Sequence, residues 1–365
     1  MFEIDETLVH GLVELSQNAS PAEIARAINS EHTTLEEFAA LISPNITPEL
    51  LKKLAQRSYE LTRRRFGRAI SLYVPLYYDN RCVNGCIYCG FNVHNKIPRK
   101  KLTFEEIVLE AEFLRSKNFK NLLLVAGEHP ESSDAGFLTD VIKKMHEIGF
   151  SCLSIEIAPL ATEDYAKLVS EAHLDGLYVY QETFNKELYS MVHPSGRKRD
   201  YSWRLGTPER GAEAGISKIG VGFLLGLNDF REDALYLACN IGYLQKNYWK
   251  SEYSISYPRI RNAAGVNSAF RNVSDRDFLQ LVCAYRLLFP EIAMSVSTRE
   301  YPEYRDRIIP LAFTSVSAGS STAPGGYCNK NKDLEQFEVE DSRSVEEVTE
   351  ALRKNGFDPV WKDWE

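Results

Sequence analysis

The sequence predicts an α/β protein, a (β/α)8 barrel of the TIM type with a helical extension before it and a tail after it. Three observations predict this. Eight short apolar runs recur between residues 71 and 317, amphipathic stretches with helix start and stop signals fill most of the intervals, and nearly every run ends on polar, reactive residues. Strands alternating with helices pair in parallel through right-handed crossovers, and eight of them close into a barrel. The alternative is an open doubly wound sheet, which the absence of G-x-G-x-x-G after any early run disfavours.

The elements follow in order. Residues 1–70 carry helical signals and no strand candidate. Asn18-Ala19-Ser20 stands ahead of Pro21, and Thr47-Pro48-Glu49 opens a second helix expected to reach about Phe66. The strands are expected at 71–78, 121–126, 152–157, 176–180, 218–225, 253–257, 292–297 and 313–317. The clearest intervening helix begins at Thr103, a capping box with Glu106, and puts Phe104, Ile107, Ala111 and Leu114 on one stripe. Gly149 and Gly215 stand where helix C-terminal glycines belong, each shortly before a strand. The barrel is thus expected over 71–320, followed by a lid or tail with one helix over 321–365.

Bulk properties narrow the function. With 44% hydrophobic and 26% charged residues over 365 positions, the chain fits a soluble protein with a large core. A net charge of −8 offers no field for a nucleic-acid backbone. No apolar run approaches the roughly 18 residues of a membrane span, and the acidic opening MFEIDETLVH is unlike a secretory signal. A cytoplasmic protein without nucleic-acid or membrane partners is expected. Of seven cysteines, 82, 86 and 89 cluster while 152, 239, 283 and 328 are scattered, a pattern of reduced thiols and metal ligands rather than a disulfide framework.

Barrels of this kind do their chemistry at the C-terminal mouth. The first run leads into the cysteine loop and the second into Glu128-His129. Glu156 ends the third, Gln181-Glu182 follow the fourth, and Arg259 and Arg261 the sixth. Arg299-Glu300 follow the seventh, and Ser317 and Ser320 mark the eighth. The cysteine loop has the spacing C-x3-C-x2-C. Three thiolates that close together grip one face of a four-iron cubane and leave one iron open to an outside ligand. Gly85 and Gly90 are expected to let backbone amides approach the cluster sulfides. Zinc is the alternative, but it prefers four closed ligands, and only His94 stands near enough in sequence to add one.

This spacing, with Tyr88 ahead of the last cysteine, resembles the signature of the radical S-adenosylmethionine (SAM) superfamily. The match extends further. YVPLYYDNRCVNGCIYCGF, LLLVAGEHP, YVYQETF, WRLGTPERGAEAGISKIGVG, YPRIRNAAG, SVSTREYPEYRDRIIPLAF, SAGSSTAPGGY and the terminal PVWKDWE resemble the tyrosine lyases that make 2-iminoacetate for bacterial thiazole assembly. These belong to the aromatic amino acid lyases, and the likeness is strong from about residue 45 onward. His193-Pro194-Ser195-Gly196 is closer to the tyrosine lyases of [FeFe]-hydrogenase maturation. Those carry a second cysteine-bound cluster, for which Cys328, alone beyond Cys283, is insufficient. Tryptophan lyases are the other near relatives.

The resemblance implies a radical SAM barrel with a [4Fe–4S] cluster on Cys82, Cys86 and Cys89 and S-adenosyl-L-methionine as cosubstrate. Tyr88 would lie near the adenine and Glu128 would accept from the SAM ammonium. The stretch from Gln181 to Gly215 also resembles biotin synthase, which implies Gln181 at the ribose and Arg204 at the SAM carboxylate. Glu156 and Glu182 join the cofactor-binding set. Arg299 would clamp the carboxylate of L-tyrosine, with Ser317 nearby. The implied reaction splits the Cα–Cβ bond of tyrosine into 2-iminoacetate and p-cresol. A thiazole synthase is the implied protein partner, and a flavodoxin or ferredoxin the implied electron donor.

Overall fold

The computed structural model describes all residues except 1, 4, 267–269, 330, 331 and 362–365, so the last four residues of the PVWKDWE ending lie outside the described residues. Eight parallel strands form the centre: β1 (Ala69–Asp79), β2 (Asn121–Ala126), β3 (Cys152–Glu156), β4 (Gly176–Glu182), β5 (Lys218–Phe223), β6 (Glu252–Ser256), β7 (Ala293–Val296) and β8 (Ser315–Ser317). Each pairs with the next, and β1 pairs with both β8 and β2, so the sheet closes. The barrel prediction holds and the open sheet is excluded. Strand positions match expectation to within a few residues.

Among the described residues four helices precede the barrel: α1 (Glu6–Asn18), α2 (Pro21–Ile28), α3 (Leu35–Leu41) and α4 (Pro48–Phe66). Ser20 and Thr34 form capping boxes with Glu23 and Glu37, and Thr47 caps α4 ahead of Pro48. The outer layer comprises α5 (Phe104–Ser116), α6 (Ala135–Ile148), α7 (Thr162–Ala172), α8 (Lys186–Val192), α9 (Tyr201–Leu205), α10 (Thr207–Glu213), α11 (Phe230–Asn247), α12 (Asp275–Leu288) and α13 (Pro302–Ala312). α4 packs on α12 and α13.

Period-two alternation in β1 explains the two layers of core. Ile70, Leu72, Val74 and Leu76 join the apolar layer between sheet and helices, each burial worth roughly 1.5–3 kcal/mol. Tyr73 and Tyr77 instead join an inner cluster with Leu123, Val125 and Tyr178.

Two irregularities shape the mouth. β1 slips register between Tyr77 and Asp79, and β4 between Tyr180 and Glu182. Such bulges re-aim side chains where they occur. Beyond β8 the chain crosses the mouth before α14 (Val345–Lys354) and a ninth strand, β9 (Asp358–Val360). Ser71 pairs with both Ser315 of β8 and Val360 of β9, so β9 occupies the β1 edge opposite β8. No signal in three residues containing Pro359 announces a strand, and the sequence reading missed it. The basic end of α4 serves this strand: Arg68 pairs with Asp358 and Arg63 lies over the Phe357 ring.

Candidate active site

A cavity opens at the C-terminal mouth, and Cys82, Cys86 and Cys89 all line it. The loop that carries them has almost no regular structure, so side chains satisfy its backbone. Arg99 donates to the carbonyls of Asn80, Phe91, Asn92 and Asn95. Asn92 donates to the Cys86 carbonyl, and Asn95 to those of Cys89 and Gly90. The two glycines act otherwise than expected. Their amides are already spent, Gly85 N on Ser195 O and Gly90 N on Gln336 O. A Cβ at either would collide with those same segments. They admit neighbouring chain, not cluster sulfides.

Burial, then the neighbouring Cys89, pushes the Cys82 thiol up to about 11, and burial pushes Cys86 and Cys89 up as well. The thiols are therefore neutral until a metal displaces their protons. Among the described residues no three His, Cys, Asp or Glu side chains converge on a single ion. Zinc lacks its ligand set, whereas a cubane, which spreads its ligands over its corners, fits three sulfurs on one loop.

Opposite the loop stands a buried quartet of alternating charge. Arg204 Nη1 donates to Glu128 Oε1 at 2.8 Å, and Lys198 Nζ to Glu182 Oε1 at 2.7 Å. Arg204 Nη2 lies 3.7 Å from Glu182, which joins the pairs. Arg204 Nε is held by Tyr180 O, and Glu128 Oε2 by Asn84. Burial opposes the charge on Glu128, yet Arg204, Lys198 and Asn84 hold it below the usual carboxylate range. Tyr88 also faces the cavity. Its hydroxyl is 2.7 Å from His193 Nε2, and His193 Nδ1 bonds Tyr189 O. Burial, then Lys198 and Arg204, push His193 down to about 2, so the neutral ring accepts from Tyr88.

Alternation along β4 separates two neighbours. Glu182, at φ +71°, faces the cavity, while Gln181 turns toward the helix layer, donating to Tyr201 O. A buried non-glycine residue in that conformation costs about 1–3 kcal/mol, which a functional site commonly stores. Gln181, expected at a ribose, is thus not brought to the cavity. Nor is Ser317, which is buried and accepts from Thr298 N.

Arg299 lines the side nearest the tail. Its guanidinium stacks 3.4 Å from the Phe337 ring centroid and makes one long bond, 3.4 Å to Arg259 O. Neighbouring Glu300 is taken by Arg259 and Arg261. Arg299 therefore faces the cavity without an ion-pair partner among the described residues. Glu156 sits in the same cavity, and burial, then repulsion from Glu182, pushes it up to about 7.

The sequence reading missed Asn84, Lys198, Gln336 and Phe337, which also line the cavity. Lys198 sits in a run, Arg197-Lys198-Arg199, that reads as a solvated face. Gln336 and Phe337 lie in the tail, 132 or more residues along the chain from any quartet member.

A closed parallel barrel with three cysteines on one loop at its C-terminal mouth is the architecture of radical SAM enzymes. Residues 77–237 match the Radical SAM superfamily and 256–358 the Biotin and Thiamin Synthesis associated domain. The 2-iminoacetate synthase of Escherichia coli K12 is 45% identical over 345 residues, covering 94% of this chain and 91% of that protein. The Salmonella typhimurium 2-iminoacetate synthase is 44% identical with the same coverage. The X-ray structure of the FeFe-hydrogenase maturase HydG from Carboxydothermus hydrogenoformans superposes with TM-score 0.90 at 32% identity, covering 97% of this chain and 84% of that one. The chain belongs to the 2-iminoacetate synthase family of the radical SAM superfamily. No helix among the described residues is long and apolar enough to cross a membrane.

Proposed function

We propose that this protein cleaves L-tyrosine between Cα and Cβ, giving 2-iminoacetate and p-cresol, with SAM consumed to methionine and 5′-deoxyadenosine. The observation that carries the proposal is one cavity lined by the three-cysteine loop, the Arg204–Glu128 pair and the unpaired Arg299. The 45% identity to a 2-iminoacetate synthase supports the same reading.

Cys82, Cys86 and Cys89 would hold a [4Fe–4S] cluster, which when bound supplies the electron that splits SAM and so starts hydrogen-atom abstraction. The methionine end of SAM carries an ammonium and a carboxylate. Glu128 and Arg204 offer the complementary charges already fixed in place, so little ordering accompanies binding. Tyr88, held by His193, offers an aromatic face for the adenine. Glu182 supplies a further acceptor in the same cavity.

Arg299 would take the tyrosine carboxylate. Its planar fork suits that group, and stacking on Phe337 fixes the plane without using the donors. Glu156 is suited to the substrate ammonium, which would draw the proton off it. Ser317 acts through the Thr298 turn beside Arg299 rather than by direct contact. Gln181 acts on α9 through Tyr201, not at the ribose.

Because 2-iminoacetate hydrolyses in water to glyoxylate and ammonium, a thiazole synthase is the proposed recipient and a flavodoxin or ferredoxin the proposed electron donor. None of the seven cysteines, all among the described residues, is disulfide-bonded, as a reducing cytoplasm would keep them. Anaerobic reconstitution with dithionite, SAM and tyrosine tests the assignment. It should yield p-cresol and glyoxylate, and tryptophan should yield no methylindole-type product. A fully loaded enzyme that makes no p-cresol from tyrosine refutes it.

A further inference from the structure

The segment that crosses the mouth after β8 contacts the cysteine loop as well as covering the cavity. Gln336 makes four ordered bonds there. Its amide N donates to Thr322 O at 3.2 Å, and its carbonyl accepts from Gly90 N at 3.2 Å. Its side-chain Oε1 accepts from the Tyr77 hydroxyl at 2.9 Å, which leaves Nε2 to donate to Cys89 Sγ at 3.5 Å. Among the described residues the other N–H donors to these sulfurs are backbone groups, such as Asn84 N on Cys82 Sγ. Gln336 is a side-chain donor from 247 residues away.

The segment is anchored. Glu338 N donates to Asn262 O, and Glu340 N and Asp341 N donate to Thr298 O. Fully buried Asp341 then pairs with fully buried Arg305. Gly90 admits this approach, since a Cβ there would stand 2.3 Å from Gln336 O.

We infer that Gln336 is a positioning residue for the cluster, set by Tyr77, whose N–H to the Cys89 sulfur raises the cluster's reduction potential. This rests on the cluster reading above. An N–H directed at a ligating thiolate withdraws charge, and the reduced cluster, with one more negative charge, benefits more than the oxidised one. The thiolate fixes the sign of the effect. A ligating sulfur has no proton to give, so only the N–H side of the amide bonds it, and the Tyr77 hydroxyl then donates to Oε1 and holds that orientation.

The test is an anaerobic redox titration of the reconstituted holoenzyme followed by electron paramagnetic resonance, with iron and sulfide counted in every sample. Gln336→Leu should make the midpoint more negative by about 59 mV, a tenfold fall in the reduced-to-oxidised ratio at fixed potential. Tyr77→Phe should shift it the same way by less, and the double variant should shift no further than Gln336→Leu, because the two act through one bond. Asn262→Ala, which removes a side-chain contact to Glu338 of the same segment away from the sulfurs, should leave the midpoint unchanged. A fully loaded Gln336→Leu enzyme with the wild-type midpoint overturns the inference. If that variant fails to load, an unshifted Tyr77→Phe midpoint overturns it equally. A wild-type protein that binds no iron and sulfide would instead remove the cluster reading itself.

Discussion

The two walls of the cavity solve the problem of buried charge in opposite ways. On one wall Glu128, Arg204, Glu182 and Lys198 neutralise each other within 3.7 Å. On the other, Arg299 stacks on Phe337 with no anionic partner within 4.0 Å among the described residues, and Glu156 sits near its neutral form. The first wall is complete before any ligand arrives. The second is left for a ligand to complete, since an unpaired buried cation and a carboxyl that ionises reluctantly both gain from an incoming zwitterion. A cosubstrate used in every radical SAM reaction suits the prebuilt wall, and the variable substrate suits the other.

Both walls depend on the loop between them, and its loss should produce the largest effect. Alanine at Cys82, Cys86 or Cys89 should abolish SAM cleavage, measured as 5′-deoxyadenosine, while the circular dichroism of the barrel persists. Next in size is Arg204→Ala. It strands Glu128 in a buried site and leaves Glu182 to Lys198 alone, which should cost about 3–5 kcal/mol in denaturant unfolding. A combined Arg204→Met and Glu128→Leu variant should recover part of that stability though none of the SAM binding. Equal destabilisation in the single and double variants would mean that the wall is not a compensated pair.

Arg299→Ala should behave differently, because no ion pair is broken. The unfolding free energy should fall by less than in Arg204→Ala. The KM for tyrosine should rise at least tenfold, about 1.4 kcal/mol of lost carboxylate recognition. Uncoupled SAM cleavage without tyrosine should survive. If Arg299→Ala loses SAM cleavage as completely as a cysteine variant, the division of labour between the walls is wrong.

Much of the barrel was legible because its signals are local. Periodicity marked the eight strands, and Thr103 with Glu106 marked a helix start that the structure reproduces. The strand-end rule brought Cys82, Cys86, Cys89, Glu128, Glu156, Glu182 and Arg299 to one cavity, and the family likeness added Tyr88 and Arg204. What was not legible depends on backbone detail or on distant chain. Gln181 is a different case: ordinary period-two alternation sends Tyr178, Tyr180 and Glu182 to the cavity and Gln181 to the helix layer, so its place was legible and only the family likeness argued otherwise. Lys198 in its basic run looks solvated until Glu182 is brought to it. Gln336 and Phe337 are polar-tail residues whose roles exist only once the chain returns across the mouth to Thr298 and Asn262.

The smallest expected effect concerns Glu156, and it separates the walls by pH. In the unfolded chain this carboxyl has its ordinary value of 4.5, and in the fold burial raises it to about 7. Below 4.5 both states hold the proton and no contribution changes. Between 4.5 and about 7 the unfolded chain gives the proton up while the fold keeps it, so stability falls as pH rises, by at most about 1.4 kcal/mol per pH unit. Above about 7 both are ionised and the loss is constant. Denaturant unfolding at pH 5, 6, 7 and 8 should therefore give a wild-type minus Glu156→Gln difference that declines to pH 7 and then levels. Bound tyrosine should reverse the trend, since its ammonium favours the ionised carboxyl and its affinity should climb with pH over the same window. Glu128, held below the usual range by Arg204 and Lys198, should give SAM affinity no such dependence there. A SAM affinity that titrated near 7 and a tyrosine affinity that did not would exchange the roles of the two walls.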